Sequence, residues 1–485
     1  MSLPWWFWAV GFGLGLWGLL YWPPARRALV AWQRRCSPRV AGLIGRALCW
    51  APSPLHLNPR LRWRDRFFVL AALGWLGTAL YAWPPIYQRL QWRVDVWLTR
   101  ARLTLHPVRG NPLAQVPTLA YATPTPTPTA TAPPPTATPR ASPSPTPALS
   151  PTPTPSPSPT PSPTPLPPQV SLPPMPRWEQ QDINNCGPAT LAFYLAWWGW
   201  QGDQQTIAQV VKPNPRDRNV NVEELVAYVQ EEVPDLWAEF RVGGTLETLK
   251  GFLAAGYPVM IETGMLLDEG YWPGDDRWAG HYLFLTGYDD GQGVFIVQDS
   301  FRGPDRRVPY EELDADWQAF NRVYILVYPM ASQSRIQRLL GPHWDTDYNR
   351  QAALQQAQRE TEAEPGNAFA WFNLGTNWVY FEKWDRAAAA YDRAFDIGLP
   401  QRMLRYQFGP FFAYFHSWQL EKLQAILDYA FQITPNSEEA WLWQGWLYVR
   451  LGKTEQAAEA FRQALEYHPA YRDAQYALRY LGLTP

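Results

Sequence analysis

Apolar and polar positions divide the chain into four stretches. Pro4 to Trp22 is a run of nineteen residues without a charge, and Phe67 to Trp83 is a second uncharged run. Each is near the ~20 residues that carry a helix across a bilayer. From Ala122 to Pro176 the pattern becomes Thr-Pro, Ser-Pro and Ala-Pro repeats with Arg140 as the one charge. Proline at alternate positions removes donors and fixes φ, so this stretch predicts a disordered stalk with polyproline II character. Arg177 to Met330 predicts helices first, at Cys186 to Trp200, Asp203 to Val211, Asn221 to Glu232 and Thr245 to Ala255. Strands follow at Pro258 to Glu262, His281 to Tyr288, Val294 to Asp299 and Val323 to Tyr328, an α+β order. Ile336 to Pro485 keeps a helical period throughout.

The last stretch repeats itself. Trp371, Gly375, Trp378, Ala387, Tyr391 and Ala394 match Trp441, Gly445, Tyr448, Ala457, Phe461 and Ala464 at an offset of seventy residues, with Leu374 and Pro469 as further positions of the pattern. That is twice a ~35-residue period. A degenerate copy with Phe411, Tyr414, Ala430 and Pro435 lies between them. Ala353 and Ala357 mark a preceding half-repeat, and Tyr471 to Leu481 a capping helix.

Charge adds an orientation. The loop from Pro23 to Arg66 holds ten arginines against Asp65, whereas the segment from the second run to Tyr121 holds five arginines and Asp95. The positive-inside bias places the loop in the cytoplasm and both termini outside. Trp5, Trp6, Trp8, Tyr21, Trp22, Tyr81 and Trp83 sit where interfacial aromatics belong. The first run lacks the basic start and small-residue cleavage site of a signal peptide. The expected layout is a membrane anchor over 1–121, a stalk over 122–176, a catalytic module over 177–330 and a repeat domain over 336–485. Fully extended at ~3.1 Å per residue, the stalk reaches on the order of 170 Å. A net charge of −1 and no basic run beyond the anchor argue against a nucleic-acid partner.

Candidate chemistry is concentrated in the third stretch. Cys186 is its one cysteine and His281 its one histidine. Gly187-Pro188 fits a helix start, and Asn184 or Asn185 could cap it. A free thiol titrates near ~8.5; a helix N-terminus and an imidazolium both lower that value. Asp289-Asp290-Gly291-Gln292-Gly293 reads as a hairpin turn. With Tyr288 opposite Val294, Leu283 falls opposite Asp299, and His281 and Asp299 become diagonal neighbours on one face. A slip of one residue would separate them. Asp289 and Asp290, in the turn, are the competing acids. Tyr271, Trp272 and Trp278, in a loop before His281, are candidates for a substrate groove. The lone histidine and the lack of a Gly-Lys-Ser/Thr loop imply no metal and no nucleotide cofactor.

Gln181, Asn184-Asn185-Cys186-Gly187-Pro188-Ala189-Thr190-Leu191, Gly280-His281-Tyr282, Gly287-Tyr288-Asp289 and Val297-Gln298-Asp299 resemble the bacteriocin-processing, double-glycine leader peptidases and their stand-alone papain-like relatives. The resemblance implies a papain-like fold in which Cys186 attacks the scissile carbonyl, His281 exchanges the proton and Asp299 holds the imidazole. It also implies an oxyanion donor upstream of the cysteine. Gln181 matches the spacing of the Asn-Asn-Cys relatives, and Gln180 that of papain. Those leader peptidases usually precede an exporter and face the cytoplasm, unlike the arrangement expected here. The repeats resemble tetratricopeptide (TPR) repeats, which implies a groove for a protein or peptide partner; a spacer or a lid is the other reading. The expectation is therefore a membrane-anchored, outward-facing cysteine peptidase with a peptide or protein substrate. The alternative is a surface scaffold that binds peptides without cutting them.

Overall fold

In a computed structural model of the chain, residues 84–116 and 165–484 are described, apart from 109, 115 and 215. The two apolar runs expected to span a membrane, 4–22 and 67–83, and most of the expected stalk lie outside these residues. Among the described residues no helix is long and apolar enough to cross a membrane. The chain divides into two compact units, 1–107 with 270–275, and 108–269 with 276–485. In the first, helix α1 runs Pro84–Leu105.

The second unit opens with β1 (Gln169–Ser171), which pairs antiparallel with a strand more than a hundred residues later. This corrects the expected stalk boundary at 176, because the chain already belongs to the sheet at Gln169. Helices α2 (Cys186–Trp197), α3 (Gln204–Val211) and α4 (Val222–Glu232) come next. Asp203 caps α3 from its side chain, and Asn221 with Glu224 forms a capping box at α4. After β2 (Leu236–Arg241) and α5 (Leu246–Ala254) come β3 (Val259–Leu266), β4 (Trp278–Asp289), β5 (Val294–Asp299) and β6 (Gly303–Pro309). Helix α6 (Tyr310–Gln318) and β7 (Tyr324–Pro329) complete the domain.

The sheet is antiparallel throughout, in the order β2-β7-β3-β4-β5-β6, with β1 added on β4. On one face Leu249, Phe252 and Leu253 of α5 join Val259, Ile261, Leu283, Leu285, Phe295, Val297, Tyr324 and Leu326 in the core. On the other, α2 lies against β4, with the Tyr194 ring 4.9 Å from that of Phe284. Helix α2 is buried from Gly187 to Leu195, which explains its nearly unbroken apolar sequence.

The β4–β5 hairpin differs from the expected register at its turn and agrees with it at its far end. It closes on Asp289 opposite Val294, one residue off, and then Thr286 forms a bulge. Beyond the bulge Leu285 faces Val297 and Phe284 faces Gln298. The extra residue thus cancels the slip, so the next position sets Leu283 against Asp299.

The remaining helices are α7 (Gln333–Leu340), α8 (Thr346–Ala363), α9 (Ala368–Tyr380), α10 (Trp384–Ile397), the single turn α11 (Met403–Tyr406), α12 (Gly409–His416), α13 (Leu420–Ile433), α14 (Glu438–Arg450), α15 (Thr454–Tyr467) and α16 (Arg472–Tyr480). The repeated glycines have a steric cause. A Cβ on Gly375 would meet the Tyr391 ring at 2.7 Å, and one on Gly445 the Phe461 ring at 2.3 Å. The repeated tryptophans make the same bond: Trp371 Nε1 donates to Pro365 O (3.0 Å) and Trp441 Nε1 to Pro435 O (3.1 Å).

These helices pack directly on the sheet domain. Asn349 of α8 pairs with the Val242 backbone as a strand would, donating Nδ2–H to its carbonyl (2.9 Å) and accepting its N–H (3.1 Å). Asn377 and Asn321 exchange amide hydrogen bonds, Asn373 donates to Gln318 O, and Arg322 bridges Asp314 and Glu360. Trp278 stacks on Phe320 and meets Tyr406 edge-on, so its ring belongs to this junction and leaves the expected groove role.

Candidate active site

Cys186 is the first residue of α2, where backbone N–H groups are left without helical partners. The expected asparagine cap takes a different form. Asn185 occupies the capping position but makes no side-chain cap bond; its Nδ2 donates instead to Gln204 Oε1 at 2.7 Å. The same oxygen accepts Asp182 N–H, and Gln204 Nε2 donates to Gln180 O. Gln204 thereby ties the whole approach to the cysteine onto α3. Asn184 adopts a left-handed backbone (φ 53°), and its carbonyl takes Lys212 Nζ at 2.6 Å. Gly187 lets α2 approach Tyr282 and Leu225, since a Cβ there would already be at 3.4 Å from both.

His281 lies on β4 opposite Thr263 and is buried. Its Nε2 is 2.8 Å from Asp299 Oδ1, so the ring nitrogen left for the cysteine is Nδ1. The thiol is within hydrogen-bonding reach of the imidazole. Asp299 ends β5 and is itself buried. Its Oδ1 also accepts the N–H groups of Phe301 (2.8 Å) and Arg302 (3.0 Å), and its Oδ2 meets Arg306 Nη1 at 2.8 Å.

Protonation follows from these partners. For His281, burial works against the charged ring, but Asp299 and then the thiol overcome it and push the imidazole up to about 9. Burial also opposes ionisation of Cys186, yet the hydrogen bond and charge of His281, then Lys212 and the Gly187 N–H, bring the thiol below its ordinary value. Asp299 is held well below the usual carboxylate range: burial is outweighed by His281 and the two backbone N–H donors. The three groups stand in series, and the shifts favour an ionised thiol, a protonated imidazole and an ionised carboxyl relative to their ordinary values.

The two candidate glutamines are used differently. Gln180 donates Nε2 to both Ser300 O (3.0 Å) and Phe301 O (2.9 Å). Gln181 accepts Ser300 Oγ–H on Oε1 (2.8 Å), which fixes its amide while leaving its NH2 group out of that bond. Its backbone N–H donates to Ser300 O, and Trp178 Nε1 donates to Asp299 O, so residues 178–181 run beside the end of β5. Asp289 and Asp290 serve the hairpin: Asp289 accepts from Gln292, and Asp290 from Lys250 and Tyr310.

Gln204, Lys212, Ser300 and Arg306 escaped the sequence reading because each acts on the site from a separate element with no shared motif. Glu262 is a further buried acid, on β3 opposite Tyr282. Burial, then the charges of Cys186 and Glu223, push its carboxyl well above the ordinary range.

Residues 171–325 match the Peptidase_C39 like family, and residues 438–471 match the tetratricopeptide repeat. No curated protein matches the chain. Among solved structures, a C39-like peptidase from Bacillus anthracis is 21% identical with a TM-score of 0.27, over 33% of this chain and 97% of that one. The peptidase domain of Streptococcus ComA, a bi-functional ABC transporter, is 16% identical with a TM-score of 0.25, over 32% and 97%. Xylellain, a cysteine protease from Xylella fastidiosa, is 16% identical with a TM-score of 0.26, over 34% and 87%. The chain thus joins a segment similar to the Peptidase_C39 like family to a segment similar to the tetratricopeptide repeat.

Proposed function

We propose that this chain is a cysteine peptidase whose triad is Cys186, His281 and Asp299. The observation that carries the reading is the buried His281, bonded through Nε2 to Asp299 and hydrogen-bonded to the thiol of Cys186, the first residue of α2. The thiolate sulfur attacks the scissile carbonyl carbon, and the carbonyl π pair moves onto oxygen. The Cys186 N–H at the helix start and the Gln181 amide hold that oxyanion. Gln181 is preferred to Gln180 because the Gln180 amide already serves two carbonyls. Collapse of the tetrahedral species breaks the C–N bond, and His281 Nδ1–H protonates the leaving amine. Water then attacks the thioester, gives its proton to His281, and releases the carboxylate product and the thiolate.

Purified full chain should turn over a peptide library at neutral pH, and Cys186→Ala should reduce the rate by at least ~10^3-fold. Iodoacetamide should modify Cys186 quickly below pH 7. An ordinary thiol titration with slow alkylation, together with unchanged peptide binding, would leave the scaffold reading instead.

The same proposal places the peptidase and repeats outside the cell, anchored through 4–22 and 67–83. Its support is the arginine distribution and the Pro-rich stretch that follows. In intact cells a membrane-impermeant maleimide should label Cys186 and spare Cys36 and Cys49. Labelling of Cys186 only after lysis would reverse the orientation.

A further inference from the structure

A second cluster of ionisable side chains is buried where the peptidase domain meets the repeats. Glu224 lies in the first turn of α4, Glu438 and Glu439 open α14, and His468 follows α15. Lys212 and Asp217 come from the segment between α3 and α4. Asp217 (3% exposed), Glu438 (3%), Glu439 (6%) and His468 (8%) are each more than nine-tenths buried. Four carboxylates therefore share this space with one ammonium, and Lys212 Nζ donates to the carbonyls of Asn184 and Asp217.

Some of these groups are satisfied. Glu439 accepts from Asn221 Nδ2 and Ser437 Oγ. Glu224 Oε2 accepts Asn221 N–H at 2.7 Å, which leaves Oε1 for the cluster. Others are not. His468 Nδ1 and Asp217 Oδ2 are buried polar atoms without a hydrogen-bond partner. His468 Nδ1 faces Glu438 Oε1 at 3.7 Å and Glu224 Oε1 at 3.9 Å, beyond hydrogen-bonding distance. One ligand atom each from Glu224, Glu438 and His468 falls within 4.8 Å of the others. Bonds of ~2.0–2.1 Å at tetrahedral angles place neighbouring ligand atoms ~3.4 Å apart, so His468 would move about 0.3–0.5 Å toward the two carboxylates, and Glu224 and Glu438 up to about 1.4 Å toward each other.

We propose that Glu224, Glu438 and His468 bind a divalent transition-metal ion, Zn2+ by the chemistry of the donors, that ties the repeats to the peptidase domain. One imidazole with two carboxyl groups suits Zn2+. The supporting contacts are in place: Asn221 orients Glu224, and the Tyr471 ring stacks on His468 with centroids 5.7 Å apart. Asp217 Oδ2, a buried oxygen without a hydrogen-bond partner, belongs to the same cluster as Glu438. Asp217 also contributes the carbonyl that holds Lys212, the residue beneath Asn184 in the cysteine loop.

The test uses the full chain carrying Cys186→Ala, which removes the other thiol–imidazole pair able to take Zn2+. After chelation and dialysis, Zn2+ uptake is measured against a chromogenic chelator. One equivalent per chain is expected, with a higher thermal midpoint. Glu438→Gln and His468→Gln should each weaken binding by at least ~100-fold. Absence of stoichiometric uptake by folded chain, or uptake unchanged in both variants, overturns the proposal. Should a variant fail to fold, the parent loaded with Co2+ supplies the second readout. One hyperfine-shifted imidazole resonance from a histidine other than His281 supports the site, and none overturns it.

Discussion

His281 performs two tasks with two ring atoms, and its titration links them. Asp299 on Nε2 raises the imidazole to about 9, which keeps the ring protonated through neutral pH beside Cys186. The active form is then lost on the alkaline side as the ring deprotonates, and on the acid side as the thiolate takes a proton; both limbs belong to the coupled pair. Asp299→Asn should lower kcat/KM by ~10^2–10^4-fold and move the alkaline limb to lower pH, because the largest group raising the ring is gone. A pH–rate profile of the variant checks both. The same shift affects stability. His281 binds its proton more tightly folded than unfolded (~6.5), so its contribution is complete below that value and fades as pH rises through about 9. Denaturant midpoints at pH 6 and pH 9.5 should therefore differ more for the parent chain than for His281→Gln.

At the scale of elements, glycine decides how closely the repeat helices pair. Gly445→Ala would drive a methyl into the Phe461 ring, and overpacking of this kind costs about 1–3 kcal/mol. Thermal denaturation should show the loss, and Gly445→Ala with Phe461→Leu should recover part of it. The Trp, Gly and aromatic positions made these helix pairs legible, since each repeats at a fixed interval. The helices after Cys186 were legible from their period, and two of them start where it begins, at Asp203 and Asn221. Strands β2 and β6 were not. Leu236–Arg241 lacks alternating burial, and Gly303–Pro309 is an edge strand rich in charge and proline that pairs with β5 alone. The Thr286 bulge was also hidden, because an extra residue in a ladder leaves no periodic trace. The juxtaposition of His281 with Asp299 could be read only because the assumed register coincided with the one beyond that bulge.

Across the molecule, repeats and peptidase share polar contacts that neither half satisfies alone. Asn349 supplies both partners of the Val242 backbone, and Asn377 needs Asn321. The repeat helices thus give part of their surface to their own neighbour, leaving a smaller area for any outside partner than a free solenoid would offer. Asn349→Ala strands a buried N–H and a buried carbonyl and should cost about 2–4 kcal/mol. Tryptophan fluorescence in denaturant should follow one transition for both halves. Two separated transitions would mean that the junction contributes little.

The place where the chain enters the sheet bears on mechanical load. Gln169 sits opposite Asp289, at the turn end of β4, while His281 lies eight residues further along that strand. At ~3.3 Å per residue the two points are ~26 Å apart. A pull arriving from the N-terminal side would first peel β1 from the hairpin, and the strand segment that bears the imidazole would feel it last.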